Sequence, residues 1–108
     1  MVMSVSAPDD PAGPAEQHIV FIESTNAFRT NVGFVTNEPA SAEVTIYDSE
    51  GRAIDQRVIE TPRGVVQMAV TRRVVNGRAR VRFLTGTGRA YASMIDNATG
   101  DSALILGQ

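Results

Sequence analysis

From Arg78 to Phe83 the chain alternates without a break: Arg78, Arg80 and Arg82 against Ala79, Val81 and Phe83. A period of two puts the two sets on opposite faces of a β-strand, one wet and one buried. Gly86-Thr87-Gly88 follows, and glycine tolerates the positive φ that a tight turn demands. Beyond it Ala90, Ala92 and Met94 alternate with Tyr91, Ser93 and Ile95. The stretch Arg78–Asn97 therefore reads as two strands joined in a hairpin. The rest of the chain must supply strands to pack on it.

It does so at short, regular intervals. His18–Ile22 is an apolar, β-branched run and reads as a first strand. In Ala27–Val35, Phe28, Thr30, Val32 and Phe34 share one face, and Gly33 marks a bulge or a close backbone approach. Thr36–Pro39 is a turn cluster, after which Ala42, Val44 and Ile46 alternate with Glu43, Thr45 and Tyr47. Asp48-Ser49-Glu50-Gly51 reads as a hairpin turn, with Asp bonding its own backbone and Gly taking the positive φ. Arg52–Glu60 returns with Ile54 and Val58 on one face, Thr61–Gly64 breaks the chain, and Val65–Val70 is a short apolar strand. Thr71–Gly77 is either a loop or a two-residue turn at Asn76-Gly77. Ala98–Asp101 is a turn, and Ala103–Leu106 a terminal strand. Seven or eight strands with turns every 8–12 residues predict an all-β, immunoglobulin-like β-sandwich of antiparallel strands, with an eight-stranded barrel as the alternative.

Composition narrows the class. A chain of 108 residues with 43% hydrophobic content is one domain with a real core. Three prolines among residues 7–16 mark 1–16 as tail or linker, which leaves 17–108 as the folded domain. Met1–Val5 is a candidate extra strand on a sheet edge, this chain's own or a neighbour's. The net charge of −2 gives no global pull towards nucleic acid or anionic membrane, although the first half is acidic and the second basic. All ten basic residues are arginine, as a GC-rich coding sequence produces. Without cysteine there is no disulfide, thiolate metal site or thiol nucleophile. No run of 18 apolar residues exists, and residues 1–16 lack the basic and apolar regions of a signal peptide. Export would then require a leader already removed, or a larger precursor.

Two segments, FRTNVGFV at 28–35 and YASMIDNATGD at 91–101, are linked by the hairpin YDSEG and by GRARVRF. Together they resemble an immunoglobulin-like repeat of large secreted and cell-surface proteins of GC-rich bacteria. The resemblance spans roughly residues 20–106. It departs after Val35, where Thr36-Asn37-Glu38-Pro39 stands in place of Asn-Pro, and in presenting one copy where such repeats usually stand in tandem. It implies the sandwich fold and an extracellular or cell-surface setting, and it brings no catalytic residues with it.

No motif supplies a catalytic constellation, and the chain is expected to be neither an enzyme nor a cofactor protein. His18 is the single histidine and has no oriented partner by spacing. Asp96–Asp101 gathers several oxygens, yet lacks the ligand spacing of a calcium loop and is explained by turn bonding. Asn97-Ala98-Thr99 is a formal glycosylation sequon of a kind common by chance. The serines have no nucleophile-elbow context. Two surface features remain. Arg78, Arg80 and Arg82 form a comb which, with Arg72, Arg73 and Arg89, offers a basic stripe to a polyanion, unless acids on neighbouring strands neutralise it. Leu104, Ile105 and Leu106 form an uncharged terminal strand suited to self-association, as a homodimer or an open filament. The expected function is a non-catalytic extracellular or cell-surface module for binding or assembly, whose partner is a protein such as a second copy. Polyanion binding is the alternative, and a loop-presenting protease inhibitor a more distant third.

Overall fold

A computed structural model describes residues 14–108. The first thirteen residues, which hold Met1–Val5 and most of the expected tail, lie outside the described residues. Eight strands follow: β1 (Glu16–Ser24), β2 (Phe28–Thr36), β3 (Ala40–Tyr47), β4 (Ala53–Thr61), β5 (Gly64–Ala69), β6 (Val74–Thr85), β7 (Arg89–Asp96) and β8 (Ser102–Leu106). They form two four-stranded sheets, sheet I in the order β1-β6-β3-β4 and sheet II in the order β5-β2-β7-β8. Every pairing is antiparallel. The all-β sandwich expected from the alternation is what the chain forms. Two parts of its wiring match the immunoglobulin plan: β1 beside β6 in one sheet, and β2-β7-β8 in the other. Between β2 and β6 the chain goes its own way, adding the β3–β4 hairpin to sheet I and then crossing to place β5 beside β2.

The inward faces meet in one core. Ile19 and Ile22 of β1, Val44 and Ile46 of β3, and Ala79, Val81 and Phe83 of β6 come from sheet I. Val32 and Phe34 of β2, Met68 of β5, and Ala90 and Ala92 of β7 come from sheet II. The Phe34 and Phe83 rings meet edge to face across the sheets, with centroids 4.9 Å apart and planes at 71°, a geometry that adds to simple burial. Gly33 is a close approach and not a bulge: a Cβ there would lie 2.0 Å from the Val66 carbonyl oxygen.

Three expectations need correction. Arg78–Asn97 does contain two strands with the expected faces, but they do not pair as a hairpin. β6 pairs with β1 and β3, β7 pairs with β2 and β8, and Gly86-Thr87-Gly88 carries the chain from one sheet to the other. The glycines are needed for the crossing itself: Gly86 has φ +68°, and a Cβ on it would lie 2.3 Å from the Pro39 carbonyl oxygen. Asn76-Gly77 is neither loop nor turn. Asn76, at φ +54°, lies inside β6 where the register with β1 shifts, and a bulge uses the same left-handed geometry as a turn. Finally, Val58 does not join Ile54 at the core. The register of β4 against β3 slips between Ala53 and Asp55, so Ile54 and Ile59 pack against the core while Val58 stands opposite Glu43 on the outer side.

Candidate functional site

The arginine comb lies on the outer face of sheet I, as expected, and the register shows what surrounds it. Across β1, β6 and β3 the rows read Glu16–Arg82–Glu43, His18–Arg80–Thr45 and Val20–Arg78–Tyr47. Glu43 Oε1 accepts from Nη2 of both Arg82 (3.1 Å) and Arg80 (3.4 Å). The Arg78 guanidinium stacks over the Tyr47 ring at 4.3 Å, and that of Arg80 lies 6.0 Å from the same ring. His18 Nε2 and Glu16 Oε2 are 3.0 Å apart. Sheet I thus meets water with a cross-paired ladder of acids, arginines and one aromatic. The other three arginines stand apart from it. Arg72 and Arg73 sit in the β5–β6 connection, where Arg72 Nη1 donates to the Ile54 carbonyl (2.9 Å). Arg89 opens β7, in the opposite sheet.

The oxygens of the β7–β8 turn are used locally. Asp96 Oδ1 accepts from the backbone N–H of Ala98 (2.8 Å) and Thr99 (3.4 Å), and Thr99 Oγ1 accepts from that of Asp101 (3.2 Å). Asn97 Nδ2 donates to the Asn26 carbonyl (3.1 Å), tying this turn to the start of β2. Among the described residues, no three His, Asp or Glu side chains converge as metal ligands.

The outer face of sheet II bears no acid–arginine ladder among its described rows. Its rows across β5, β2, β7 and β8 read Val65–Val35–Arg89, Gln67–Gly33–Tyr91–Leu106 and Ala69–Asn31–Ser93–Leu104. The Tyr91 hydroxyl donates to Gln67 Oε1 (2.7 Å), so these two side chains join over side-chain-free Gly33. Burial pushes the Tyr91 phenol above its ordinary pKa. Val35, Val65, Leu104 and Leu106 are exposed on this face or its margins. Of the three residues expected to drive self-association, Leu104 and Leu106 point outward, while Ile105 packs against the core.

The four sheet edges are protected unequally. β4 carries Asp55, Arg57 and Glu60, and Arg57 Nη2 reaches across to the Ala69 carbonyl of β5 (3.2 Å). β1 carries Glu16, His18 and Glu23 and is broken by bulges. Its His18 exchanges both backbone hydrogen bonds with Gln108, at 2.7 and 2.9 Å. β8, Ser-Ala-Leu-Ile-Leu, has no charge, no proline and no bulge. β5, Gly-Val-Val-Gln-Met-Ala, is likewise free of charge, proline and bulge, and is guarded only where Arg57 meets the Ala69 carbonyl. The two edges of sheet II are thus the less guarded ones among the described strands.

Comparison with family models, with curated proteins and with solved structures finds no match.

Two residues matter more than the sequence alone discloses. Gln17 is fully buried on β1: its Nε2 donates to the carbonyls of Gly88 (2.8 Å) and Pro14 (2.9 Å), and its Oε1 accepts from the Ala90 N–H (2.9 Å). One amide thereby latches the edge of sheet I to the first turn of β7. An isolated glutamine before an apolar run is a weak signal, since most glutamines are exposed. Phe21 is the second. It has φ +62°, a genuine outlier for a bulky side chain, and is 66% exposed. Inserted between residues paired with Arg78 and Gly77, it resets the alternation so that Ile19 and Ile22 both face inward. The signal was present in the five-residue run His18–Ile22, which holds too many apolar residues for one face of a strand.

Proposed function

We propose that this chain is a non-catalytic binding and assembly module that engages protein through the sheet II side of the sandwich. The contrast between the two outer faces carries the reading. Sheet I pairs Glu43 with Arg80 and Arg82, with Val20 and Val58 exposed around them, whereas sheet II and its β8 edge leave Val35, Val65, Leu104 and Leu106 uncovered beside unbroken, uncharged edge backbone. The polar groups that chemistry would need, Asp96, Thr99 and Asp48 among them, are engaged in holding turns. Resemblance to immunoglobulin-like repeats of bacterial secreted and surface proteins supports the same class of role. On that resemblance the setting is extracellular or at the cell surface.

The alternative, polyanion capture by the arginine face, has less support. Glu43 sits between Arg80 and Arg82, Glu16 is in register with Arg82, and three of the six arginines lie off the comb. Immobilised heparin separates the two readings. We expect the chain to elute at or below about 0.15 M salt, where weak surface electrostatics are already screened. Retention well above that point, abolished in an Arg78→Ser/Arg82→Ser variant, would overturn the protein-binding reading in favour of the polyanion one.

A further inference from the structure

Resting on the reading above, the geometry points to the partner: we propose that β8 pairs antiparallel with β8 of a second copy about a two-fold axis at Leu104, joining the two sheets II into one continuous sheet.

The direction of the backbone groups makes the pairing specific. Gly107 N–H donates to the Ala90 carbonyl at one end of the β7–β8 ladder and Asp96 N–H to the Asp101 carbonyl at the other, so Ala90–Gly107 and Asp96–Asp101 occupy hydrogen-bonding positions. Such pairs alternate along an antiparallel ladder. With the register of β7 and β8, Ile105 and Ala103 therefore turn their N–H and C=O groups towards β7, while Ser102, Leu104 and Leu106 turn theirs away. Gln108, two residues further, also turns away and is met by His18. The two strands share only that one backbone pair among the described residues. The extra residue at Phe21 breaks the regular course of β1 just beyond it, and the outward groups of Leu106, Leu104 and Ser102 have no described partner. A strand of this pattern is complementary to itself. Centred on Leu104, a two-fold sets Leu104 against Leu104 and Ser102 against Leu106, and every outward group is satisfied.

The side chains supply the rest. Leu104 and Leu106 on β8 are each more than half exposed. With the strand backbone they make a contact smaller than the roughly 1,000 Å² expected of a stable, specific interface, which places the pairing in the weak, transient class. That area, with no charged residue in the contacting strand, describes a weak, reversible dimer insensitive to salt. Of the other edges, β4 and β1 carry charges, and β5, equally uncharged, has Arg57 of β4 bonded to the Ala69 carbonyl at its end.

Sedimentation equilibrium of the full chain from about 1 µM to about 500 µM brackets the affinity such an area gives, and hydrogen exchange at both extremes locates the contact. We expect a monomer–dimer equilibrium in which the amides of Leu104 and Leu106 gain protection with concentration. The inward amides of Ala103 and Ile105 should be protected throughout. Leu104→Glu should weaken dimerisation at least about tenfold, since it sets two charges against each other at the axis, whereas Val65→Glu on the far edge should not. A monomer at every concentration overturns the proposal while leaving the heparin result to judge the protein-binding reading. A dimer without concentration-dependent protection of Leu104 and Leu106 overturns the β8 register but retains assembly. A monomer whose outward amides are protected until residues 1–13 are deleted would mean that the chain's own leading segment takes the edge, and this too overturns the proposal.

Discussion

Sheet I and sheet II turn the same kinds of side chain inward and differ outward in how far their charges are paired. On the outer face of sheet I, beside exposed Val20 and Val58, Glu43 accepts from Arg80 and Arg82, Arg78 stacks on Tyr47, and Glu16 meets His18. On the outer face of sheet II, Val35, Val65, Leu104 and Leu106 share the surface with Arg29, Asn31, Arg89 and Ser93, and the one side-chain pair there among the described residues is Tyr91 to Gln67. Alternation sets which residues face out except where a bulge or slip resets it, as at Phe21 and between Ala53 and Asp55. Whether those residues are finished or still in need of a partner depends on what the neighbouring strands bring into register. A row of arginines is therefore a poor indicator of an anion site until its cross-strand partners are known. An uncharged edge strand is a better indicator of contact.

The comparison can be broken first at what the two sheets share. Phe83→Ala removes the edge-to-face contact with Phe34 and should cost about 3–5 kcal/mol in chemical denaturation, collapsing both faces together. Gln17→Ala should cost about 2–3 kcal/mol, because it strands the buried Ala90 N–H and the Gly88 carbonyl. If hydrogen exchange then shows β1 opening with β7 still protected, the latch is what ties the sheets at that end.

Smaller effects sharpen the contrast between faces. Glu43→Gln leaves Arg80 and Arg82 without their shared acid and should cost about 1 kcal/mol at low salt, less as salt rises. Leu104→Glu should change monomer stability by less than about 0.5 kcal/mol while weakening association at least about tenfold. Equal unfolding costs for these two would erase the distinction drawn between the faces. The gentlest probe is acid. The backbone N–H of Arg52, then that of Glu50, bond the Asp48 carboxylate and hold its pKa below the ordinary 3.8. Its contribution to stability is therefore present above that ordinary value and lost as pH falls through the depressed one. Asp48→Asn should flatten this acid limb of the stability curve, and an unchanged limb would mean the β3–β4 turn does not depend on that charge.

Most of the strands could be read from the chain, and so could the inward residues of β2, β3, β6 and β7, because burial on one side of a strand imposes period two directly. Pairing was another matter. Ala79, Val81 and Phe83 followed by a glycine-rich link and Ala90 and Ala92 fit a hairpin and an inter-sheet crossing equally well, since each buries both apolar faces and each needs glycine. The same ambiguity hides Asn76, whose left-handed backbone suits a turn or a bulge. Among the surface features, the cross-pairing of the arginine comb was foreseeable only as a possibility, because Glu43 lies 37 residues from Arg80 and its register is set by tertiary structure. Leu104 and Leu106 were legible as an uncharged edge, but the inward turn of Ile105 depended on knowing its neighbour in β7.

The crossing at Gly86-Thr87-Gly88 also governs when the molecule can come together. Only β3–β4 and β7–β8 are neighbours both in sequence and in a sheet. β1 must wait for β6, and β2, though flanked by β5, must wait for β7 to reach β8. As the chain leaves the ribosome, its first five strands emerge with the centre of sheet I still missing and sheet II only half assembled. Loop closure over such separations is slow, so a fold wired this way belongs among those that form in milliseconds to seconds rather than microseconds. The last third of the polypeptide is in effect the keystone: until it arrives, the apolar faces of everything before it remain open to water and to other chains.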